Sequence, residues 1–506
     1  MTLVDYTTYL REYADHFALM GKLRLQTRVL SVERQNGDYC VELQVMGKRT
    51  PSKETYDAVA LCSGLHNIPR IPSFKGQETF KGKIFHSSVY KEPSIFEGRK
   101  VLIVGTGETA FDLGYAAATH GATSVTMSTR HGFVSVPAYF GEANPPLDCI
   151  IMNFATHAWE STWAQRVGMH WWVTTKFTRL GFLLTTGCSY GFNQWVGRRH
   201  NLSWDEGRKH IVNKSSRCMP LLSRKAKKQA PRWKRWLYGW WDSDVSHVDI
   251  DIDLVEGSIV AFTPDAVDFE TKSGRRRVLA DLVVFATGYR QKFPFLRSAK
   301  SADESDDPLP AQHFIVDPDE PRLAYIGFIR PNVGAIPPMA EMQAMWWTRR
   351  LANALTPETE KNQLDRACYK LHGCHLPYGV DYGYYMFALS REIGSMPSLR
   401  HWFFKNWRIC ATCAFGQAHV PIFRLQGPFR TGAAEDTCSD ELYRVLLKRP
   451  LLMNMTFIME AMCFGLVNGV AELLERHFRS IASFSLGLLG GSFLLTRRQG
   501  LWQMSR

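Results

Sequence analysis

A short apolar run followed by a glycine turn decides the fold: Val101-Leu102-Ile103-Val104-Gly105-Thr106-Gly107-Glu108-Thr109-Ala110. The apolar residues predict a buried parallel strand, and Gly105-x-Gly107-x-x-Ala110 has the spacing of a dinucleotide-binding turn. Gly105 permits the tight turn, Gly107 lets a pyrophosphate approach the backbone, and Ala110 lets the helix pack closely on the strand. The predicted phosphate ligands are backbone amides at the turn and the helix start, in Gly105, Thr106, Gly107, Glu108, Thr109 and Ala110.

The end of the next predicted strand indicates which nucleotide binds. The helix is expected to run from Ala110 to His120, and residues 124–129 form the second strand. An NAD site needs an acidic residue near the end of that strand, but this chain has Arg130 there. Because arginine suits a 2′-phosphate, the sequence predicts an NADPH site. For Arg130 alone an ordinary surface arginine is an equally good interpretation, and for the whole unit the alternative is a turn that binds no nucleotide.

Length and charge limit the classes of protein. With 506 residues and 45% hydrophobic side chains, the chain can form two or three domains. Part of the net charge of +13 comes from a basic stretch at residues 224–235, beside Trp233 and Trp236. No nucleic-acid-binding motif accompanies this stretch. A solvated helix face, or a face against anionic lipid, is therefore preferred over a nucleic-acid site.

The cysteines predict neither disulfides nor a metal site. There are 11 of them, scattered along the chain, and the first residues lack the pattern of a secretory signal. We therefore expect a reduced, cytosol-facing chain. Cys410-x-x-Cys413 is not accompanied by a second cysteine pair or by histidines at the spacing of a zinc site, so two free thiols are the preferred interpretation.

The C-terminal segment predicts contact with a membrane surface. Residues 481–495 are almost wholly apolar and lie between Arg479 and Arg497. A spanning helix needs about 20 residues, so this stretch is short for crossing a bilayer. We expect a tail that lies in the interface, which would place the chain at the cytoplasmic face of an intracellular membrane or in the cytoplasm. A buried core helix is the alternative.

Three further segments, taken with the glycine turn, resemble one known family. They are Phe80-x-Gly82-x-x-x-His86-x-x-x-Tyr90, then residues 285–289 (FATGY), then residues 323–331 (LAYIGFIRP), which continue to Gly334, Pro337, Glu341 and Gln343. Their order and spacing are similar to those of the class B, dimethylaniline-type flavin-containing monooxygenases. The resemblance covers about residues 5–420.

The resemblance implies an α/β flavoprotein with two dinucleotide-binding domains, in which an NADPH Rossmann domain is inserted into an FAD domain. The implied ranges are a partial FAD domain at 1–95, an NADPH domain with a tryptophan-rich insert at 96–290, a return to the FAD domain at 291–445, and an apolar helical tail at 446–506. Family members begin with a second glycine fingerprint, which holds the FAD pyrophosphate. The segment around Tyr9 and Tyr13 resembles a later helix of that domain. We therefore expect the first βαβ unit to be missing and apolar edges to be exposed.

The resemblance also implies the remaining site residues. Ser63 and Gly64, and likewise Thr287 and Gly288, lie where the chain passes between the two nucleotide domains, and close approach of a cofactor there favours glycine. Gln343 is expected either to bind the edge of the flavin ring or to be a satisfied core amide. For His86 a buried structural histidine is preferred over a catalytic acid. We assign no catalytic side chain, because the flavin supplies the chemistry.

The function implied is that of a monooxygenase. NADPH reduces FAD, O2 adds to the reduced flavin as a C4a-hydroperoxide, and one oxygen atom passes to a small hydrophobic or aromatic substrate. The tryptophan-rich insert and the apolar tail resemble fungal members that oxygenate polyketide pigments and other secondary metabolites. The alternative is an inactive or partner-dependent relative that acts as a nucleotide-binding or membrane-attached protein. A disulphide reductase is disfavoured, because Cys410 and Cys413 lie outside the nucleotide folds.

Overall fold

The computed structural model describes most of the chain outside the insert and the tail. The described residues are 3–130, 132–136, 146, 149, 212–214, 217–228, 232, 247–297, 309–357, 360–371, 376–449, 451, 454–455, 457–463 and 465–470. The tryptophan-rich insert lies almost entirely outside these ranges, as do the acidic stretch at 303–307 and the apolar stretch at 481–495.

The strands are numbered in chain order. They are β1 Thr27–Gln35, β2 Asp38–Val45, β3 Ser52–Tyr56, β4 Val59–Leu61, β5 Ile68–Pro69, β6 Lys83–His86, β7 Lys100–Val104, β8 Ser124–Thr129, β9 Val134–Val136, β10 Val212–Lys214, β11 Ile252–Phe262, β12 Ala266–Thr271, β13 Gly274–Leu279, β14 Leu282–Phe285, β15 Tyr289–Arg290, β16 Val316–Asp317, β17 Glu320–Tyr325, β18 Arg330–Pro331 and β19 Gly379–Val380.

The α-helices are numbered in the same way. They are α1 Leu3–His16, α2 Glu108–Thr119, α3 Cys218–Lys228, α4 Ile336–Leu351, α5 Glu360–Tyr369, α6 Tyr382–Ile393, α7 Leu399–Lys405, α8 Trp407–Phe415, α9 Gly432–Ser439 and α10 Glu441–Leu447.

A central sheet organises the first lobe, which we define as β6–β14 with α2 and α3. Within the described residues its strand order is β13-β12-β11-β8-β7-β14-β6. The strands from β11 to β6 run parallel, whereas β12 is antiparallel to β11 and β13 is antiparallel to β12. Both faces of β7 and β14 are buried, which is why their sequences are continuous apolar runs. The predicted strand, crossover helix and second strand around the glycine turn are confirmed.

Helix α2 packs on β7 and β8 because one of its faces is small and apolar. Ala110, Phe111, Leu113 and Ala117 are buried on that face. A Cβ on Gly114 would lie 3.0 Å from the sulfur of Met127, so the helix approaches the sheet closely at this point. The approach fixes where the start of α2 lies relative to the strand ends.

The glycine turn is held against the end of the neighbouring strand. Gly105 has φ +124°, and a Cβ at this position would overlap the carbonyl oxygen of Ala286, which directly follows β14. The Ala286 amide also donates to the Val104 carbonyl at 3.0 Å. Gly107, by contrast, has φ −78°, and a Cβ there would meet no atom within 4 Å. The first glycine is therefore required by the fold, whereas the second faces open space.

The second lobe, which we define as the described residues 3–61 and 309–449, combines three small sheets, one of them the parallel pair β18–β19, with a helical core. Strands β1, β2 and β3 form an antiparallel sheet, and β17 pairs with β4 in parallel and with β16 in antiparallel. Two short segments connect the lobes: β5 pairs with β15, and the Arg70 amide donates to the Gly288 carbonyl at 2.9 Å.

The sheet of the first lobe includes β6, so it begins before the domain boundary predicted at residues 95/96. Within the Phe80–Tyr90 signature, β6 is followed by a 3-10 turn at Ser87–Val89.

The N-terminal part of the second lobe exposes apolar surface. Val4, Leu10 and Tyr13 on α1, and Phe17 just after it, are between 46% and 72% exposed. Strand β4 has β17 as its one sheet neighbour among the described residues, so its other edge is unpaired there. Both features agree with the expectation of exposed apolar edges in this domain. Among the helices in the described part of the chain, none combines the length and the apolarity needed to cross a membrane.

A buried polar cluster anchors the helical core, and we call it the Glu392 network. His313 Nε2 lies 3.0 Å from Glu392 Oε1, and Trp346 Nε1 and Arg366 donate to the same carboxylate at 2.7 and 2.9 Å. Burial raises the pKa of Glu392, but the hydrogen bond and charge of His313, together with the bonds from Trp346 and Arg366, outweigh it and lower the pKa to about 2.

The two glycines of the turn give a matched pair of stability predictions. We expect Gly105→Ala to lower the free energy of unfolding by at least about 2 kcal/mol, because its φ is positive and the new Cβ overlaps Ala286. Gly107→Ala should cost no more than about 1 kcal/mol, the price of a poorer N-cap. Urea denaturation of the two variants measures this difference, and equal losses would contradict the structure.

The Glu392 network makes stability depend on pH. A carboxylate whose pKa is lower in the folded state stabilises the fold above its unfolded pKa, near 4.5, and loses that contribution as the pH falls towards 2. We expect Glu392→Gln to destabilise the chain by about 3 kcal/mol at pH 7 and by clearly less at pH 3, measured by chemical denaturation. Glu341→Gln removes the partly exposed partner of Arg424 and is the control, with a loss below about 1 kcal/mol. A loss for Glu392→Gln that does not change with pH would contradict this account.

Candidate functional site

The start of α2 has the features of an anion site. Gly107 is the N-cap residue, no side chain of the described part of the chain caps the helix, and the Phe111 amide makes the first bond back to the Gly107 carbonyl, at 3.1 Å. The amides of Glu108, Thr109 and Ala110 precede that bond, so they have no acceptor within the helix. With Gly107 facing open space, these residues fit a dinucleotide pyrophosphate.

Hydrogen bonds hold the loop between β7 and α2 in place. The Thr106 hydroxyl donates to Thr129 Oγ1 at 3.3 Å, and the Asn213 side-chain amide donates to the Thr106 carbonyl. Asn213 belongs to β10, which pairs in parallel with β9. The turn is therefore tied both to the neighbouring strand β8 and to a strand that is distant in sequence.

Arg130 lies where the sequence predicts a ligand for a 2′-phosphate. It directly follows β8, the parallel neighbour of β7, and it is exposed. The carboxyl ends of β7 and β8 share one edge of the sheet, so Arg130 and the glycine turn lie on the same side of the lobe.

The connecting segments place the other predicted cofactor residues next to this edge. Gly64 and Gly288 have φ +81° and +78°, and a Cβ on either would meet no atom within 4 Å. Ser63 is exposed at the end of β4, and the Thr287 hydroxyl donates to the Arg70 carbonyl. The structure thus brings both predicted turns to the junction of the two lobes.

His86 has a structural role in this junction. The Ser88 amide donates to its Nδ1 at 3.1 Å, so Nδ1 is an acceptor and Nε2 carries the proton that is donated to the Gly288 carbonyl at 3.0 Å. Burial lowers the pKa of His86, while the bond to Gly288 partly opposes that effect. A neutral, fully hydrogen-bonded imidazole agrees with the structural interpretation preferred from the sequence.

Gln343 is buried, and both ends of its amide bind protein groups. Its Oε1 accepts from the Gly327 amide at 2.7 Å, and its Nε2 donates to the Tyr385 hydroxyl at 2.8 Å. Tyr385 in turn donates to the His313 carbonyl, which connects Gln343 to the Glu392 network. Of the two interpretations of Gln343, this geometry favours the satisfied core amide, which holds the turn after β17.

One charged contact in this junction joins two of the quoted motifs, the glycine turn and residues 323–331. Arg330 of β18 donates to Glu108 Oε2 at 2.9 Å, and Lys214 Nζ lies 4.0 Å from Glu108 Oε1. Arg330 and Glu108 are 222 residues apart in sequence, so no local spacing could indicate the contact. The contact joins the start of α2 directly to the second lobe.

The cysteine pair lies away from the strand ends. Cys410 and Cys413 are free thiols on α8, and burial raises the pKa of both. Among the described residues no cluster of His, Cys, Asp or Glu could hold a metal ion.

Comparisons with known proteins relate this chain to one family. Residues 1–180 and 246–465 match a family described as FMO-like, "Flavin-binding monooxygenase-like". The chain is 32% identical to monooxygenase PC-14 of Penicillium crustosum, covering 94% of this chain and 84% of that protein. It is also 32% identical to monooxygenase ptmN of Penicillium ochrochloron, with 92% and 80% covered. Among solved structures, S-allyl-L-cysteine S-oxygenase from Allium sativum has a TM-score of 0.48 at 15% identity, covering 87% of this chain and 76% of that one.

The family match extends over both lobes, so it confirms the predicted enzyme class, a flavin-dependent monooxygenase. FAD and NADPH, the two cofactors predicted from the sequence, are those that membership of this family supports, with O2 and a small-molecule substrate. The chain belongs to the flavin-binding monooxygenase-like family.

Proposed function

We propose that this chain uses NADPH and FAD to insert one oxygen atom of O2 into a small hydrophobic or aromatic metabolite, of the kind found in polyketide-pigment pathways. The observation that carries the proposal is the uncapped start of α2, where Gly107 faces open space at the carboxyl end of a parallel strand. Family membership supports the reaction class.

In this proposal the first lobe binds NADPH. The backbone at Gly105, Thr106 and Gly107, with the amides of Glu108, Thr109 and Ala110, holds the pyrophosphate. Arg130, at the end of the adjacent strand, pairs with the 2′-phosphate. The hydrogen bonds of Thr106 with Thr129 and Asn213 hold the loop in one conformation, so less conformational entropy is lost when the nucleotide binds.

In this proposal FAD binds at the junction of the lobes. When bound, it accepts hydride from NADPH and activates O2. Ser63 and Gly64 at the end of β4, with Thr287 and Gly288 after β14, offer exposed backbone at two strand ends, and Gln343 fixes the nearby Gly327 turn.

The second candidate function is a family member that binds NADPH but has little affinity for FAD. The unpaired edge of β4 and the exposed apolar face of α1 favour it. The absorbance spectrum of the purified full chain after addition of FAD and desalting separates the two. Retained flavin that NADPH bleaches under anaerobic conditions supports the monooxygenase, whereas absence of retained flavin supports the second candidate.

The predicted domain ranges and tail belong to the same proposal. We place an FAD domain at 1–95 and 291–445, an NADPH domain at 96–290, and a tail at 446–506 that lies on a membrane surface. Strand β6 lies within the range 1–95 but completes the sheet of the first lobe. Exposed apolar side chains recur at helical spacing in the described part of that tail: Leu451, Met455, Met459, Met462 and Leu466. Such a stripe suits a helix in the lipid interface.

Gly107 tests the nucleotide site without disturbing the fold. We expect Gly107→Val to weaken NADP+ binding at least tenfold, because a branched side chain fills the space through which a pyrophosphate reaches the α2 amides. Calorimetric titration of the full chain measures the change. Gly432→Val is the control for a glycine replaced at a helix start: Gly432 is the first residue of α9, a Cβ there also meets no atom within 4 Å, and the Thr431 side chain caps that helix. Unchanged affinity in Gly107→Val would contradict the assignment.

Arg130 tests the choice between NADPH and NADH. Arg130→Ala should weaken NADPH binding roughly tenfold to a hundredfold, since a charged hydrogen bond is lost, and should leave NADH binding nearly unchanged. Arg99→Ala, a partly buried arginine just before β7 and therefore at the opposite edge of the sheet, is the control. Equal effects on the two nucleotides would remove Arg130 from the site.

A further inference from the structure

An acidic side chain lies at the start of α2, where the proposed function places a pyrophosphate. Glu108 lies between two cations: its Oε2 accepts from Arg330 at 2.9 Å, and its Oε1 is 4.0 Å from Lys214 Nζ. Arg330 belongs to the second lobe and Lys214 to the first. The side chains of Glu108 and Arg330 are 31% and 25% exposed, so water and a dissolved anion can reach the pair.

The backbone of Arg330 is rigidly held. Its amide donates to the Tyr378 carbonyl at 3.0 Å, and Ile329 just before it is fully buried. Two residues later, the Asn332 side chain donates to Asp381 at 2.9 Å. Arg330 thus extends from a fixed strand of the second lobe to the first turn of α2, and its guanidinium lies within one side chain's reach of the amides there.

The hydrogen bond between Arg330 and Glu108 uses one of the two carboxylate oxygens. Arginine and a carboxylate often form two parallel hydrogen bonds, but Glu108 Oε1 is buried and has no hydrogen-bond partner among the described residues. A carboxylate at a helix N-terminus is stabilised by the same helix dipole that favours a phosphate. Its negative charge also repels a pyrophosphate that approaches the same amides. The Glu108 carboxylate and a pyrophosphate therefore favour the same position at the start of α2 and the same guanidinium, that of Arg330.

Building on the proposed function, we propose that Arg330 is a phosphate ligand contributed by the second lobe, and that Glu108 competes with the dinucleotide pyrophosphate for it. Binding then exchanges a carboxylate–guanidinium contact for a phosphate–guanidinium contact. The exchange makes the second lobe part of the nucleotide site and makes Glu108 a residue that limits affinity.

The test is a calorimetric titration of the full chain with NADP+ at fixed ionic strength. We expect Glu108→Gln to bind at least about threefold more tightly, because the repulsion is removed and Arg330 is released. Arg330→Gln should bind at least tenfold more weakly, since it loses a phosphate contact and leaves the Glu108 charge uncompensated. The double variant should bind clearly more weakly than Glu108→Gln alone. Arg330→Lys keeps the charge without the planar fork and should fall between wild type and Arg330→Gln.

The control is an ion pair on the same sheet that lies away from the strand ends. Arg277 and Asp268, on the hairpin β12–β13, form two hydrogen bonds at 2.7 and 2.9 Å, and Asp268→Asn with Arg277→Gln should leave NADP+ affinity unchanged. Thermal unfolding of every variant shows that the compared chains are folded.

Opposite signs for Glu108→Gln and Arg330→Gln support the proposal, because a purely structural ion pair would weaken binding when either partner is replaced. Weaker binding in Glu108→Gln overturns it. Equal affinity of the double variant and Glu108→Gln overturns the role of Arg330 as a phosphate ligand. Failure of the proposed function gives a different result: wild type does not bind NADP+, or Gly107→Val binds as tightly as wild type.

Discussion

The contact between Gly105 and the carbonyl of Ala286 is the constraint on which the site depends. It brings the ends of β7 and β14 so close that a side chain at residue 105 has no room. The chain must turn sharply there, and the turn directs the start of α2 towards the segment that connects the two lobes. The open backbone at Gly107 and the connection at Gly288 lie next to this close approach, and Arg130 lies at the same edge of the sheet.

The second lobe is fixed relative to this turn by polar contacts. His86 binds the Gly288 carbonyl, and Arg330 reaches the carboxylate of Glu108. Behind them, Gln343 and the Glu392 network hold the turn after β17 through buried hydrogen bonds. Because unpaired polar groups in a core are costly, such a network allows few alternative arrangements. The lobes therefore meet with defined strand ends, as a reaction between two cofactors requires.

The sequence predicts the parts of the fold that local chemistry determines. The strand at Val101–Val104, the strand at Ser124–Thr129 and the apolar run before Thr287 are readable because buried parallel strands are continuous apolar runs that end in glycine or polar residues. The sequence does not predict which distant residues pair. Arg330 with Glu108, and His313 with Glu392, are both far apart in the chain, so no local pattern indicates the contact. The sequence also left two interpretations of Gln343 open, and its surroundings in the fold, not its spacing, favour one of them.

The most direct measurement is a crystal structure of the chain with NADP+. We expect the pyrophosphate oxygens to lie about 2.7–3.1 Å from the amides of Glu108, Thr109 and Ala110, with the 2′-phosphate next to Arg130. A dinucleotide bound elsewhere, or one whose pyrophosphate lies beyond hydrogen-bond distance of α2, would contradict the account.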